Sequence, residues 1–186
     1  VTAGSVADVT DAPSLLGGQV KTLHPTIYAG ILARRNEPDD LASLAAQGIG
    51  LIDLVVVNVK PFAPAVSAGI VPIDEAVDGI DVGGIALLRA AARNYAGVTV
   101  VAHPAHYDAV VDELRRLGMV SAETRQRLAA EAFAIVAAYD AEVAAYLNHI
   151  SGVRFPEQLT VVLQKQRDLP YGENPHQRAA FYRETT

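Results

Sequence analysis

Asp53-Leu54-Val55-Val56-Val57-Asn58-Val59 is the stretch on which the fold turns. Its β-branched run shows little alternation, the pattern of a strand buried on both faces in a parallel sheet. Val98-Thr99-Val100-Val101-Ala102 is a second such run. Between them, Ile85 to Tyr95 is rich in Ala, Leu and Arg and is followed by Gly97, which predicts a helix with a glycine stop. Strand, helix and strand at this spacing make a βαβ unit, expected to cross over right-handed. A further helix from about Pro38 to Gln47 ends at Gly48 and feeds the first strand, and another is expected from Pro104 to Leu117, stopped by Gly118.

Ser121 to about Asn148 predicts one long helix, with Ser121 as its N-cap. Its apolar Leu128, Ala132, Ile135, Tyr139, Val143 and Tyr146 step by three or four along one face. That stripe reads as core or subunit interface rather than as a ligand site. After Ser151-Gly152, Gln158 to Gln164 reads as one more strand, and Asp168 to Arg178 as a polar loop with two prolines.

Composition narrows the possible functions. A chain of 186 residues suggests one domain, or one with an appendage, and 51 % hydrophobic residues supply ample core. A net charge of −6, with pI near 5.3, argues against a nucleic-acid-binding surface. With no cysteine there is neither a disulfide nor a thiol nucleophile. No run approaches the roughly 18 apolar residues of a membrane span, and no signal segment opens the chain. Val1 is not an initiator methionine, so the start of the protein is expected upstream.

Candidate chemistry sits in three places. Gly17-Gly18-Gln19-Val20-Lys21-Thr22-Leu23-His24-Pro25 gathers a lysine, a hydroxyl and a histidine behind two glycines. The glycines let backbone approach a ligand, and the proline fixes the far end of the loop. Ile80-Asp81-Val82-Gly83-Gly84 precedes the predicted helix, where exposed amides favour a polarised oxygen; Asp81 could equally be a simple cap there. Asn58 and Lys60 follow the first buried strand, and ligands of open α/β sheets bind beyond such strand ends. Lys21, Asn58 and Asp81 are therefore expected around one crevice. His103 and His106 have a metal-like spacing but read as solvated helix-start residues, and no metal is expected. His149 suits a helix end, and Arg115-Arg116 an exposed face. No Rossmann or P-loop fingerprint is present.

Six segments in order carry a resemblance to a known family. They are Val20-Lys21-Thr22-Leu23-His24-Pro25, Ala29-Gly30-Ile31-Leu32-Ala33-Arg34, Leu54-Val55-Val56-Val57-Asn58, Ile80-Asp81-Val82-Gly83-Gly84, Leu88-Arg89-Ala90-Ala91-Ala92-Arg93-Asn94 and Tyr171-Gly172-Glu173-Asn174-Pro175-His176-Gln177. Together they resemble the bifunctional purine-biosynthesis enzymes that join AICAR transformylase to IMP cyclohydrolase. The resemblance implies an α/β, methylglyoxal-synthase-like domain: a parallel sheet with flanking helices, then a mainly helical extension. Residues 1–150 would be the cyclohydrolase domain, lacking its N-terminal segment, and residues 151–186 a linker and the beginning of the transformylase domain.

The implied reaction closes the ring of FAICAR to inosine monophosphate, releasing water and needing no cofactor. Lys21, Asp81 and Arg93 match the family's catalytic positions. Lys21, Thr22, Asn58, Lys60, Asp81, Val82, Gly83 and Gly84 match its substrate-binding ones, and Tyr171 matches a transformylase substrate contact. The transformylase half would use 10-formyltetrahydrofolate, its body lying outside these residues. A homodimer in the cytoplasm is implied, with a ribotide substrate and neither nucleic acid nor membrane as partner.

Four positions depart from the family pattern. Gln19 stands where the family usually has Arg, Lys60 where it has Tyr, Arg93 where it has Lys, and Pro170 where it has Arg. Arg93 keeps its charge but donates a proton poorly. Without the family's phosphate-gripping segment, the chain is expected to bind a ribotide weakly and turn it over slowly. Two other readings stay open: a non-catalytic effector-binding module of the same fold, and a degenerate dimerisation fragment.

Overall fold

In the computed structural model, which describes residues 3–13, 15–62 and 72–184, the two β-branched runs pair as predicted. Strand β1 (Leu54–Val56) lies parallel to β2 (Thr99–Val101), with Leu54 opposite Thr99 and Val56 opposite Val101. Flanking bonds, Thr99 N to Asp53 O at 2.8 Å and Val57 N to Val101 O at 3.0 Å, carry the pairing one residue beyond β1 at each end. β2 is buried throughout, whereas only Val55 of β1 is buried. The expectation of burial on both faces therefore holds for β2 and fails for β1. Leu54 and Val56 are exposed because, among the described residues, nothing covers that side of the strand.

Helices before the crossover set the loops that matter. α1 spans Val6–Thr10, α2 Pro25–Leu32 and α3 Pro38–Ala46; α4 (Ile73–Asp78) and α5 (Gly83–Arg93) follow β1. Pro25 opens α2 because its fixed φ suits a first turn, and His24 Nδ1 accepts from Thr26 N at 3.3 Å. α5 buries Ile85, Leu88, Ala90, Ala91 and Ala92. Its three consecutive alanines allow close packing on α2 and on both strands.

Side chains then clamp the backbone. Asn94 Nδ2 donates to Ile31 O at 2.7 Å and Ala33 O at 3.0 Å, tying the end of α5 to the end of α2. Arg35 donates to Ala33 O and Ile52 O, both at 2.7 Å, and joins α2 to the approach of β1. Carbonyls at helix ends lack intrahelical partners, which is why these donors are needed there.

Beyond β2 the helix expected from Pro104 begins as a 3-10 turn (Pro104–His106) and becomes α6 over Tyr107–Leu117. α7 spans Ala122–Ile150, with Ser121 Oγ accepting from Thr124 N at 3.2 Å. Of its predicted stripe, Leu128, Ala132 and Tyr139 are buried, while Ile135, Val143 and Tyr146 are half-buried. Ala129, Val136 and Ala141 are buried as well, so the inward face lies slightly rotated from the predicted one.

The chain forms two compact units, Val1–Ala137 and Ala138–Thr186. They divide within α7, and the boundary expected at residue 150 falls at that helix's end. The second unit contains an antiparallel hairpin of β3 (Leu163–Leu169) and β4 (Ala179–Glu184), with irregular register between Lys165 and Arg167. The strand expected over 158–164 is thus displaced toward the C-terminus, and β4 went unpredicted. Both faces of β3 are exposed, so Leu-Gln-Lys-Gln-Arg-Asp-Leu carries no alternation to mark it as a strand. The polar loop shrinks accordingly to residues 170–178, closed by Gly172 N to Gln177 O at 2.9 Å.

Candidate functional site

The diglycine loop and the start of α5 meet across a cleft of about 390 Å³. Gly17 and Gly18 have φ of 64° and 92°, left-handed values that glycine adopts without steric cost, and they turn the chain so that Gln19, Lys21 and Thr22 line the cleft. The opposite wall is Ile80, Asp81, Val82, Gly83 and Gly84, with Leu87 one turn along α5. Lys60, four residues past β1, completes the lining.

Two close approaches explain the glycines of α5. A Cβ on Gly83 would lie 2.9 Å from Thr22 Oγ1, so only glycine lets the threonine hydroxyl rest against the helix start. A Cβ on Gly84 would lie 2.5 Å from Asp81 Oδ2. Asp81 Oδ1 accepts from Gly84 N at 2.7 Å, which holds the carboxylate at the positive end of the helix dipole. Asp81 is therefore both a helix-start acceptor and part of the cleft wall. The arrangement offers a cation and a carboxylate on facing walls, with glycine backbone between them. It can polarise an oxygen and orient a nitrogen of one ligand.

Of the predicted residues, Lys21, Thr22, Lys60, Asp81, Val82, Gly83 and Gly84 line this cleft together. Asn58 is not among its lining; its Oδ1 accepts from the Tyr107 hydroxyl at 2.9 Å. Arg93 lines a separate cleft with Leu32, Arg34, Asp40 and Asn94. The separation is geometric: α5 puts eleven residues between Asp81 and the end of Arg93's helix, at about 1.5 Å of rise each. In that second cleft Arg34 makes a bidentate pair with Asp40, both bonds at 2.9 Å, and the guanidinium holds the Asp40 carboxyl at about 2. Tyr171 is exposed in the hairpin connection of the second unit.

Sequence reasoning missed several contributors. Leu87 is the apolar wall of the cleft, and its place four residues beyond Gly83 on a helix was the available signal. Tyr107, as partner of Asn58, had none. His106, read as solvated, instead pairs with Glu131 of α7 at 2.7 Å and is half-buried. Among the described residues no group of three His, Cys, Asp or Glu could hold a metal ion. A further cleft of about 400 Å³, lined by α1 and the same loop, has Lys21 on its border too.

A parallel strand pair and a glycine-opened crossover helix, with a charged cleft at the start of that helix, define an α/β domain. Residues 91–186 match the family described as AICARFT/IMPCHase bienzyme, just over half of the chain. The chain belongs to that family. It is 51 % identical over 179 residues to the bifunctional purine biosynthesis protein PurH of Listeria monocytogenes serotype 4b, and 48 % identical over 178 residues to PurH of Anoxybacillus flavithermus. Each alignment covers 96 % of this chain and 35 % of the relative, so the chain spans about a third of their length. A crystal structure of ForH is similar at a TM-score of 0.61 and 40 % identity, covering 75 % of this chain and 73 % of the other. The α/β, methylglyoxal-synthase-like fold expected from the sequence agrees with these relatives. Among the described residues no helix is long and apolar enough to cross a membrane.

Proposed function

We propose that this chain carries the ring-closing half of its family's chemistry, the IMP cyclohydrolase reaction that converts FAICAR to inosine monophosphate and water. The observation that carries the reading is the sharing of one cleft by Lys21 and Asp81, from separate segments, with the backbone of Val82 and Gly83 between them. In the first step the carboxamide nitrogen attacks the formyl carbon. A C–N bond forms, the carbonyl pair moves to oxygen, and a proton passes from the nitrogen to that oxygen. The resulting hydroxyl then leaves as water with a second proton, while the former formamide nitrogen loses its own proton and forms the C=N bond.

Both reacting groups belong to one molecule, so orientation contributes most and proton transfer second. Lys21 polarises the formyl oxygen, and Asp81 orients the attacking nitrogen. Thr22 and the backbone at Val82 and Gly83 hold the base. Arg93 lines a separate cleft, so its part in these steps is electrostatic only. No electron carrier is required by this chemistry. The same reading carries a homodimer, a cytoplasmic location, and 10-formyltetrahydrofolate as donor for the transformylase half, with Tyr171 as a contact there.

Single-turnover ring closure, with the protein in excess over FAICAR, tests the proposal. Asp81→Asn is expected to slow it at least tenfold, about 1.4 kcal/mol of transition-state stabilisation, with an unchanged melting temperature. Unchanged turnover with a lower melting temperature would reduce Asp81 to a helix cap. Ring closure no faster than the uncatalysed background, with ribotide still bound, would instead favour the effector-binding reading.

A further inference from the structure

We propose that the cleft between α1 and the diglycine loop is a separate site for a small amphiphilic monocarboxylate, whose binding draws the Lys21 ammonium away from the start of α5. The cleft encloses about 400 Å³, within the range of small-ligand sites. Its apolar walls include Val6 of α1, Leu15 before the two glycines, and Val20 and Leu23 beyond them. Leu15 is 56 % exposed, so an apolar ligand body laid against it is removed from water together with that side chain.

The polar groups of the same lining ask for one anion. Ser5 Oγ accepts from Asp8 N at 3.2 Å and Thr10 Oγ1 donates to Val6 O at 3.0 Å, so both hydroxyls are engaged within α1 and its cap. Lys21 makes no ion pair among the described residues. His24 Nδ1 accepts from Thr26 N at 3.3 Å, which puts the ring proton on Nε2 and makes that nitrogen a donor. No carboxylate lines the cleft among the described residues; Asp8 turns back to accept from Ser5 N at 2.7 Å. A cation and a donor beside aliphatic walls fit one carboxylate carried on an apolar body. Lys21 borders this cleft and the one at the start of α5, and its single ammonium serves an anion in only one of them at a time. An acid bound beside α1 therefore withdraws the cation that polarises the formyl oxygen, and slows ring closure. That consequence rests on the cyclohydrolase reading; the binding does not.

NMR titration of the 186-residue protein with 3-phenylpropionate, and with 3-phenylpropanamide as its neutral counterpart, tests the site. The acid is expected to bind at least about fivefold more tightly, moving the backbone signals of Val6, Leu15 and Val20 more than those of Gly83 and Gly84. Lys21→Gln should bring the acid down to the affinity of its neutral counterpart. Leu15→Asp sets a like charge in the wall, and should weaken the acid at least about tenfold and the neutral compound less. Circular dichroism checks that both variants keep the wild-type helix content. In single-turnover ring closure, saturating acid should lower the wild-type rate at least about fivefold. In Leu15→Asp the acid should no longer lower that variant's own rate. Equal affinity for the two compounds, no binding of either, or signals moving at Gly83 and Gly84 instead overturns the site. Binding beside α1 that leaves ring closure unchanged overturns the competition for Lys21. A protein that binds the acid as expected but closes no ring in its absence supports the carboxylate site and overturns the cyclohydrolase reading.

Discussion

Asp81 and Gly84 act as one unit, because the carboxylate occupies the space in which any other residue at position 84 would put its Cβ. Gly84→Ala sets two effects against each other. Alanine gains about 1 kcal/mol of helix propensity over glycine, while loss of the Asp81 bond costs about as much. The expected outcome is a change in unfolding free energy below about 1 kcal/mol in urea titration, together with ring closure slowed as in Asp81→Asn. A stability loss well beyond this would mean that the carboxylate cannot move aside. Tyr107→Phe addresses the neighbouring strand end. It removes the hydroxyl that holds the Asn58 carboxamide at 2.9 Å. For an exposed hydrogen bond of this kind about 0.5–1.5 kcal/mol is expected at most, readable in the same titration.

At the scale of elements, the Arg34–Asp40 pair joins the segment after α2 to the first turn of α3. The side-chain bond to Arg34 holds the Asp40 carboxyl at about 2, below its ordinary 3.8. Its folded-state value is therefore depressed, so the contribution is complete above about pH 4 and disappears as pH falls through 2. Melting temperature measured against pH should show wild type above Asp40→Asn by a constant margin at neutral pH, with the two curves converging between pH 4 and pH 2. Parallel curves down to pH 2 would show that the pair does not form.

The βαβ unit was readable because two β-branched runs flank an alanine-rich helix, although that helix ends at Arg93 with Asn94 as its C-cap and not at Gly97. β3 and β4 were not, since an exposed hairpin leaves no burial pattern in its side chains. The cleft was legible as a set of segments: Lys21 and Asp81 stood out by their glycine neighbours and by their place at loop and helix ends. Arg93 shows the limit of that approach. It belongs to the same helix as the glycines of the cleft, yet helical rise carries it to another surface.

The two compact units differ in how deeply their backbones are protected. β2 is fully buried, and α5 and the first part of α7 add Leu88, Ala91, Leu128 and Val136 to the core, whereas β3 and β4 have no buried residue. Amide hydrogen exchange should therefore be slowest at Val100 and Val101 and faster by orders of magnitude across 163–169 and 179–184. Uniform protection across both would show that the hairpin opens only with global unfolding. The parallel pairing also has a consequence for synthesis. Leu54 finds its partner only at Thr99, so the first strand leaves the ribosome long before the second exists. At roughly 5–20 residues per second, Leu54, Val55 and Val56 wait some seconds without a partner. Throughout that delay a β-branched segment with no charged side chain stands open to chaperones or to another nascent copy of itself, which makes translation speed over residues 57–101 a determinant of yield.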